Sequence, residues 1–120
     1  MGMRVLLVDD SSTMRRIQTN QLNALGITEA IEAENGQDGL DKLAKFMPFD
    51  FILLDWNMPV KNGLEFLTEA RANAAYKDVK IIMCTSESEK ARVLEALKAG
   101  ANNYIVKPFA AEAIKEKLGL

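Results

Sequence analysis

Apolar residues in this chain form two kinds of run. Short, nearly continuous blocks alternate with longer stretches in which apolar positions recur every three or four residues. Residues 3–8, MRVLLV, are the first block, and their length and partial β-branching predict a buried strand. Ser11, Ser12 and Thr13 then supply helix-capping hydroxyls. Met14, Ile17, Leu22 and Leu25 fall within an arc of about 140° at 100° per residue, which predicts a helix over 12–25, closed by Gly26. Residues 28–33 form a weaker strand. Asn35-Gly36 marks a turn, and Leu40, Leu43 and Phe46 give 36–46 a helical spacing. The third block, FDFILLD at 49–55, is followed by a helix over 63–75 whose core positions are Leu64, Phe66, Leu67 and Ala70. The fourth block is 79–85. A helix over 87–99 is expected to bury Val93, Leu94 and Leu97 before Gly100. Residues 103–107 form the fifth strand, which Pro108 closes, and 110–118 form a last, short helix.

Five strands alternating with five helices predict an α/β fold. Apolar strands between helices imply a doubly wound parallel sheet with helices on both faces and right-handed crossovers. Ligands of such open sheets sit at the carboxyl ends of the strands. Those ends are Asp9-Asp10, Asp55, Thr85-Ser86 and Lys107-Pro108, so the fold brings three carboxylates, a hydroxyl and an ammonium toward one cleft.

Composition narrows the functional classes. The 120 residues fit one domain spanning 1–120, and no repeat or linker interrupts them. A net charge of −2 leaves no electrostatic footprint for nucleic acid or an anionic membrane. No window approaches the roughly 18 apolar residues of a membrane span, and the first apolar run is too short for a signal peptide. A single cysteine, Cys84, precludes an intrachain disulfide and fits a reducing, cytoplasmic setting. With no histidine in the chain, Ser-His-Asp and Cys-His catalysis and histidine metal ligation are excluded. No Gly-rich nucleotide loop is present.

The strand-end cluster carries the remaining chemistry. Three carboxylates sum to −3, a crowding that needs neutralisation or raised pKa values. Lys107 supplies +1 and a divalent cation +2. All candidate ligands are oxygens, which suits Mg²⁺ rather than zinc. Taken singly, an aspartate at a strand end is usually a turn or helix cap, and a lysine before proline usually a surface residue. Their joint placement carries the argument. An aspartate beside Mg²⁺ and lysine can act as nucleophile and form an aspartyl-phosphate. Asp55, ending the central block, is the best candidate.

Asp9-Asp10, DWNMP with Gly63 eight residues after Asp55, CTSE at 84–87 and YIVKPF at 104–109 together resemble a response-regulator receiver domain, and within that family the chemotaxis subgroup. The match covers nearly the whole chain. The resemblance implies a flavodoxin-like sheet in the order 2-1-3-4-5. It implies that Asp55 accepts a phosphoryl group from a chemotaxis-type histidine kinase. Asp10, Asp55 and the Asn57 carbonyl would hold Mg²⁺ directly and Asp9 through water, while Thr85 and Lys107 would touch the phosphoryl oxygens. Thr85 and Tyr104 would be the switch pair, and Asn57 and Glu87 would tune dephosphorylation. Ser88, Lys90, Tyr104 and Lys117 would lie on a face that docks the flagellar motor switch protein. Lys107-Pro108 resembles a cis position. A phosphatase partner and a monomeric state are also expected, with only self-catalysed phosphotransfer and autodephosphorylation rather than enzyme activity proper.

One feature departs from the subgroup: its final helix commonly runs about two turns further, which makes motor docking a weaker expectation than phosphorylation. Alternatives are a stand-alone phosphate sink or shuttle, an aspartate-nucleophile phosphatase and a flavodoxin-like electron carrier. The phosphatase family needs D-x-D, and this chain has Asp55-Trp56-Asn57. The carrier needs a phosphate-binding loop where two acids stand.

Overall fold

The computed structural model describes residues 3–86 and 91–120. The strands are β1 (Arg4–Val8), β2 (Glu29–Ala33), β3 (Phe51–Asp55), β4 (Lys80–Thr85) and β5 (Asn103–Val106). The helices are α1 (Ser12–Ala24), α2 (Gly36–Phe46), α3 (Gly63–Ala72), α4 (Val93–Ala99) and α5 (Ala111–Leu118), with a 3₁₀ turn at Ala74–Tyr76. All pairings are parallel and the sheet order is β2-β1-β3-β4-β5, as the family resemblance implies.

Local chemistry accounts for the helix boundaries. Ser11 accepts the Met14 N–H at the start of α1, and Asn35 accepts the Asp38 N–H at the start of α2. Asn62 and Glu65 form a reciprocal capping box on α3. Gly100 and Gly119 end α4 and α5 in the left-handed region, where a Cβ would be costly. The helix expected over 63–75 stops at Ala72, because Asn73 is extended and caps the 3₁₀ turn through Ala75 N–H.

Strand alternation sorts the core into two layers. Leu6, Val8, Ile52, Leu54, Ile81 and Met83 face α2, α3 and α4, where Leu43, Phe66, Leu67, Ala70 and Ala96 meet them. Val5, Leu7, Phe51, Leu53, Ile82, Cys84 and Ile105 face α1 and α5 through Leu22, Ile114 and Leu118. Burying each large side chain contributes about 1.5–3 kcal/mol, so the register is strongly held. A one-residue slip of β3 would carry Asp55 to the opposite face.

Two core expectations are corrected. Leu94 and Leu97 of α4 are exposed, at 62% and 38%, and Ala96 packs inward instead. The packed face is set by how α4 meets α3 and the sheet, where a small residue allows close approach. On α1, Ile17 is 44% exposed while Gln18 is buried against Cys84, so the polar side chain took the inward position.

Candidate functional site

Register builds the site. Val8 lies opposite Leu54, so the next residues, Asp9 and Asp55, leave adjacent strands side by side. Thr85 lies opposite Val106, and the Lys107 N–H donates to the Thr85 carbonyl at 2.6 Å. Lys107 thus enters from β5 at the same level. Its ammonium donates to Asp55 Oδ1 at 2.9 Å and to Asp9 Oδ2 at 3.2 Å. Carboxylate oxygens of Asp9, Asp10 and Asp55 all lie within 4.8 Å of one another. Asp9 and Asp55 are buried and Asp10 is exposed, so the group opens to solvent on one side.

Electrostatics sharpen the picture. Burial pushes the Asp55 pKa above its ordinary 3.8 despite the Lys107 hydrogen bond, and the neighbouring Asp9 charge adds to the rise. Burial pulls Lys107 down, but its hydrogen bond and charge pairing with Asp55 prevail and hold it above 10.5. One ammonium therefore shares two buried carboxylates, and the cluster retains excess negative charge. Hard oxygen donors at this separation fit Mg²⁺ on chemistry alone.

The other sequence-predicted residues are placed as follows. Asn57 is exposed in the loop after β3, two residues beyond Asp55. Thr85 is fully buried, and its hydroxyl donates to the Ile105 carbonyl at 3.5 Å. Tyr104 is half-buried, with the Lys117 ammonium 4.9 Å above its ring. Lys107–Pro108 is cis, as is Met47–Pro48. Glu87, Ser88 and Lys90 lie outside the described residues. Cys84 is buried, and burial pushes its thiol pKa up to about 12, which fits a core residue rather than a nucleophile.

Sequence reasoning missed three contributors. The Arg15 guanidinium reaches the Asp9 carbonyl at 2.5 Å. Gln21 donates to the carbonyl of Phe109, two residues past Lys107, also at 2.5 Å. Arg92 stacks 5.5 Å over the ring of Trp56. All three depend on which helix packs against which loop, and no local motif signals that.

A parallel five-stranded sheet with an aspartate triad and a lysine at its carboxyl edge defines the receiver class. The sequence profile of the response regulator receiver domain matches residues 5–119, and the chain belongs to that family. Its likeness within the family runs to chemotaxis regulators. A chemotaxis protein CheY homolog of Campylobacter jejuni is 53% identical over 116 residues, covering 97% of this chain and 89% of that one. Chemotaxis protein CheY1 of Helicobacter pylori strain 26695 is 49% identical, covering 97% and 94%. The solved structure of Vibrio cholerae CheY4 superposes with a TM-score of 0.89 at 35% identity, covering 99% and 98%. The chain is thus a CheY-like two-component receiver, a class of signalling switches rather than classical enzymes. Receiver domains bind Mg²⁺ at an acidic pocket, and Asp9, Asp10 and Asp55 form such a group here. No helix among the described residues is long and apolar enough to cross a membrane.

Proposed function

We propose that Asp55 is the phosphoacceptor of a chemotaxis switch spanning residues 1–120 as one domain. The observation that supports this most is the shared Lys107 ammonium between Asp55 and Asp9 at the carboxyl edge of the sheet. A carboxylate oxygen of Asp55 attacks the phosphorus of a phosphohistidine on the kinase, the P–N bond breaks, and the imidazole leaves with that electron pair. Lys107 offsets charge on the transferred oxygens. Asp10, Asp55 and the Asn57 carbonyl would hold Mg²⁺, with Asp9 acting through water. When bound, Mg²⁺ neutralises the crowded carboxylates and the phosphoryl oxygens.

Phosphorylation adds about one negative charge and several acceptor oxygens at Asp55. Thr85 then exchanges its long bond to Ile105 for a bond to a phosphoryl oxygen, and Tyr104 turns into the space released. That biases a two-state element. Asn57 and Glu87 steer the water that ends the signal. The readout face is α4, β5 and α5; α4 exposes Leu94 and Leu97, and the Lys117 ammonium of α5 lies 4.9 Å over the Tyr104 ring of β5. Its partner is the flagellar motor switch protein, with Ser88 and Lys90 contributing. A chemotaxis-type histidine kinase supplies the phosphoryl group.

Acetyl phosphate in Mg²⁺ is expected to label the protein, and Asp55→Asn to abolish the label. Labelling of Asp55→Asn at the wild-type rate would refute Asp55 as acceptor. Capture of the motor protein only with beryllofluoride supports the docking assignment, while capture of histidine proteins alone would favour a phosphate sink.

A further inference from the structure

We infer that Arg15 is a positioning residue for the acidic pocket: its guanidinium ties the Asp9 carbonyl to Glu32 and thereby fixes the aim of both the Asp9 and Asp10 carboxylates. The inference rests on the metal-binding reading of that pocket.

Successive side chains of a strand point to opposite faces. Asp9 and Asp10 are consecutive, yet both bring an oxygen within 4.8 Å of Asp55. The backbone must therefore turn at the peptide joining them. That peptide is planar, so whatever holds its carbonyl sets the orientation of both residues at once. The carbonyl belongs to Asp9, and Arg15 holds it at 2.5 Å.

The other polar groups of Asp9 are also engaged. Its N–H donates to the Ala33 carbonyl at 3.1 Å, Oδ1 accepts the Ser11 N–H at 2.9 Å, and Oδ2 accepts Lys107 at 3.2 Å. Arg15 completes the set. It is itself braced, because its Nε donates to Glu32 Oε1 on β2 at 2.7 Å and its side chain is only 15% exposed. Holding a carbonyl with one nitrogen and a carboxylate with another requires the guanidinium fork, which lysine lacks.

Charge and position predict opposite signs. A cation held at the Asp9 carbonyl opposes a metal bound at the adjoining acidic group, so charge removal alone would tighten Mg²⁺ binding. Loss of positioning weakens it, by about tenfold for a group that orients ligands.

Calorimetric titration of the full chain with MgCl₂ tests this. Arg15→Ala and Arg15→Lys are both expected to bind about tenfold more weakly, and Glu32→Gln to weaken in the same direction. Amide exchange at Ser11, measured in EDTA, is expected to quicken in Arg15→Ala. Unchanged or tighter binding by folded Arg15→Ala, or wild-type affinity in Arg15→Lys, overturns the inference. If Arg15→Ala does not fold, Arg15→Lys and Glu32→Gln decide. A wild type that binds no Mg²⁺ defeats the metal reading instead. Ser11 exchange then judges Arg15 alone, and unchanged exchange in Arg15→Ala or Arg15→Lys overturns its role.

Discussion

Gly63 begins α3 directly behind the phosphoacceptor candidate. A Cβ built there would fall on the carbonyl oxygen of Asp55, 3.0 Å from Trp56 Cα and 3.2 Å from the Asp55 carbonyl carbon. All three atoms are backbone of β3 or its continuation, so no side chain can swing aside. Carbon–carbon contacts are optimal at about 3.5–4.0 Å, so Gly63→Ala must part α3 from β3 by roughly 0.5–1 Å. The Gly63 N–H bond to the Trp56 carbonyl, 2.8 Å, would stretch with it. Overpacking of this kind costs about 1–3 kcal/mol, and the gain from alanine in a helix, at most about 1 kcal/mol, offsets part of it. The expected net loss is about 1–2 kcal/mol, seen as a melting point lower by roughly 3–10 °C. Because a 1 Å misplacement of a reacting group can cost about a hundredfold, the acetyl phosphate labelling rate should fall by about tenfold. Gly26→Ala is the control. Its φ is 84° with nothing within 4 Å, so it should cost about 1 kcal/mol through backbone strain and leave labelling unchanged. Gly63→Ala with wild-type melting and labelling would refute the steric reasoning.

Val60 carries a φ of 67°, a left-handed conformation that is costly for a β-branched residue, and is 78% exposed. Val60→Asn should raise stability by about 1 kcal/mol in urea melts. Arg71 donates to the carbonyls of Gly100, Tyr76 and Val79 and to Asn102 Oδ1, at 2.7–2.9 Å. Arg71→Ala should lose about 3 kcal/mol, and Arg71→Lys should recover less than half. Because burial raises the Asp55 pKa above 3.8, its contribution to stability is complete below pH 3.8 and is lost as pH rises through the raised value. In EDTA, Asp55→Asn should therefore melt above wild type at pH 7, and this advantage should vanish on acidification below 3.8. A constant difference across that range would contradict the assignment.

Much of this molecule is local and was legible in the chain. Phe51–Asp55 is an apolar run that ends on an acid, and its length and flanks mark it as a strand whatever surrounds it. The 36–46 helix carries its own cap and period, and Gly36–Phe46 is the helix found. Strand ends and the carboxyl-edge rule together brought Asp9, Asp10, Asp55 and Lys107 to one place.

Tertiary structure decided what local pattern cannot encode. Leu94 and Leu97 share a helical period with Val93, but which side of α4 is buried depends on the neighbour it meets, and Ala96 met it. Gln18 is buried because α1 lies over Cys84, a contact 66 residues distant in sequence. Register, rather than the identity of any residue, sets Asp9 beside Asp55. Arg15 took its place because α1 crosses the end of β1 within reach of β2, so one side chain spans a carbonyl and a carboxylate from separate strands. Periodicity is a property of a segment, whereas register and packing are properties of pairs of segments, and only the folded chain fixes them.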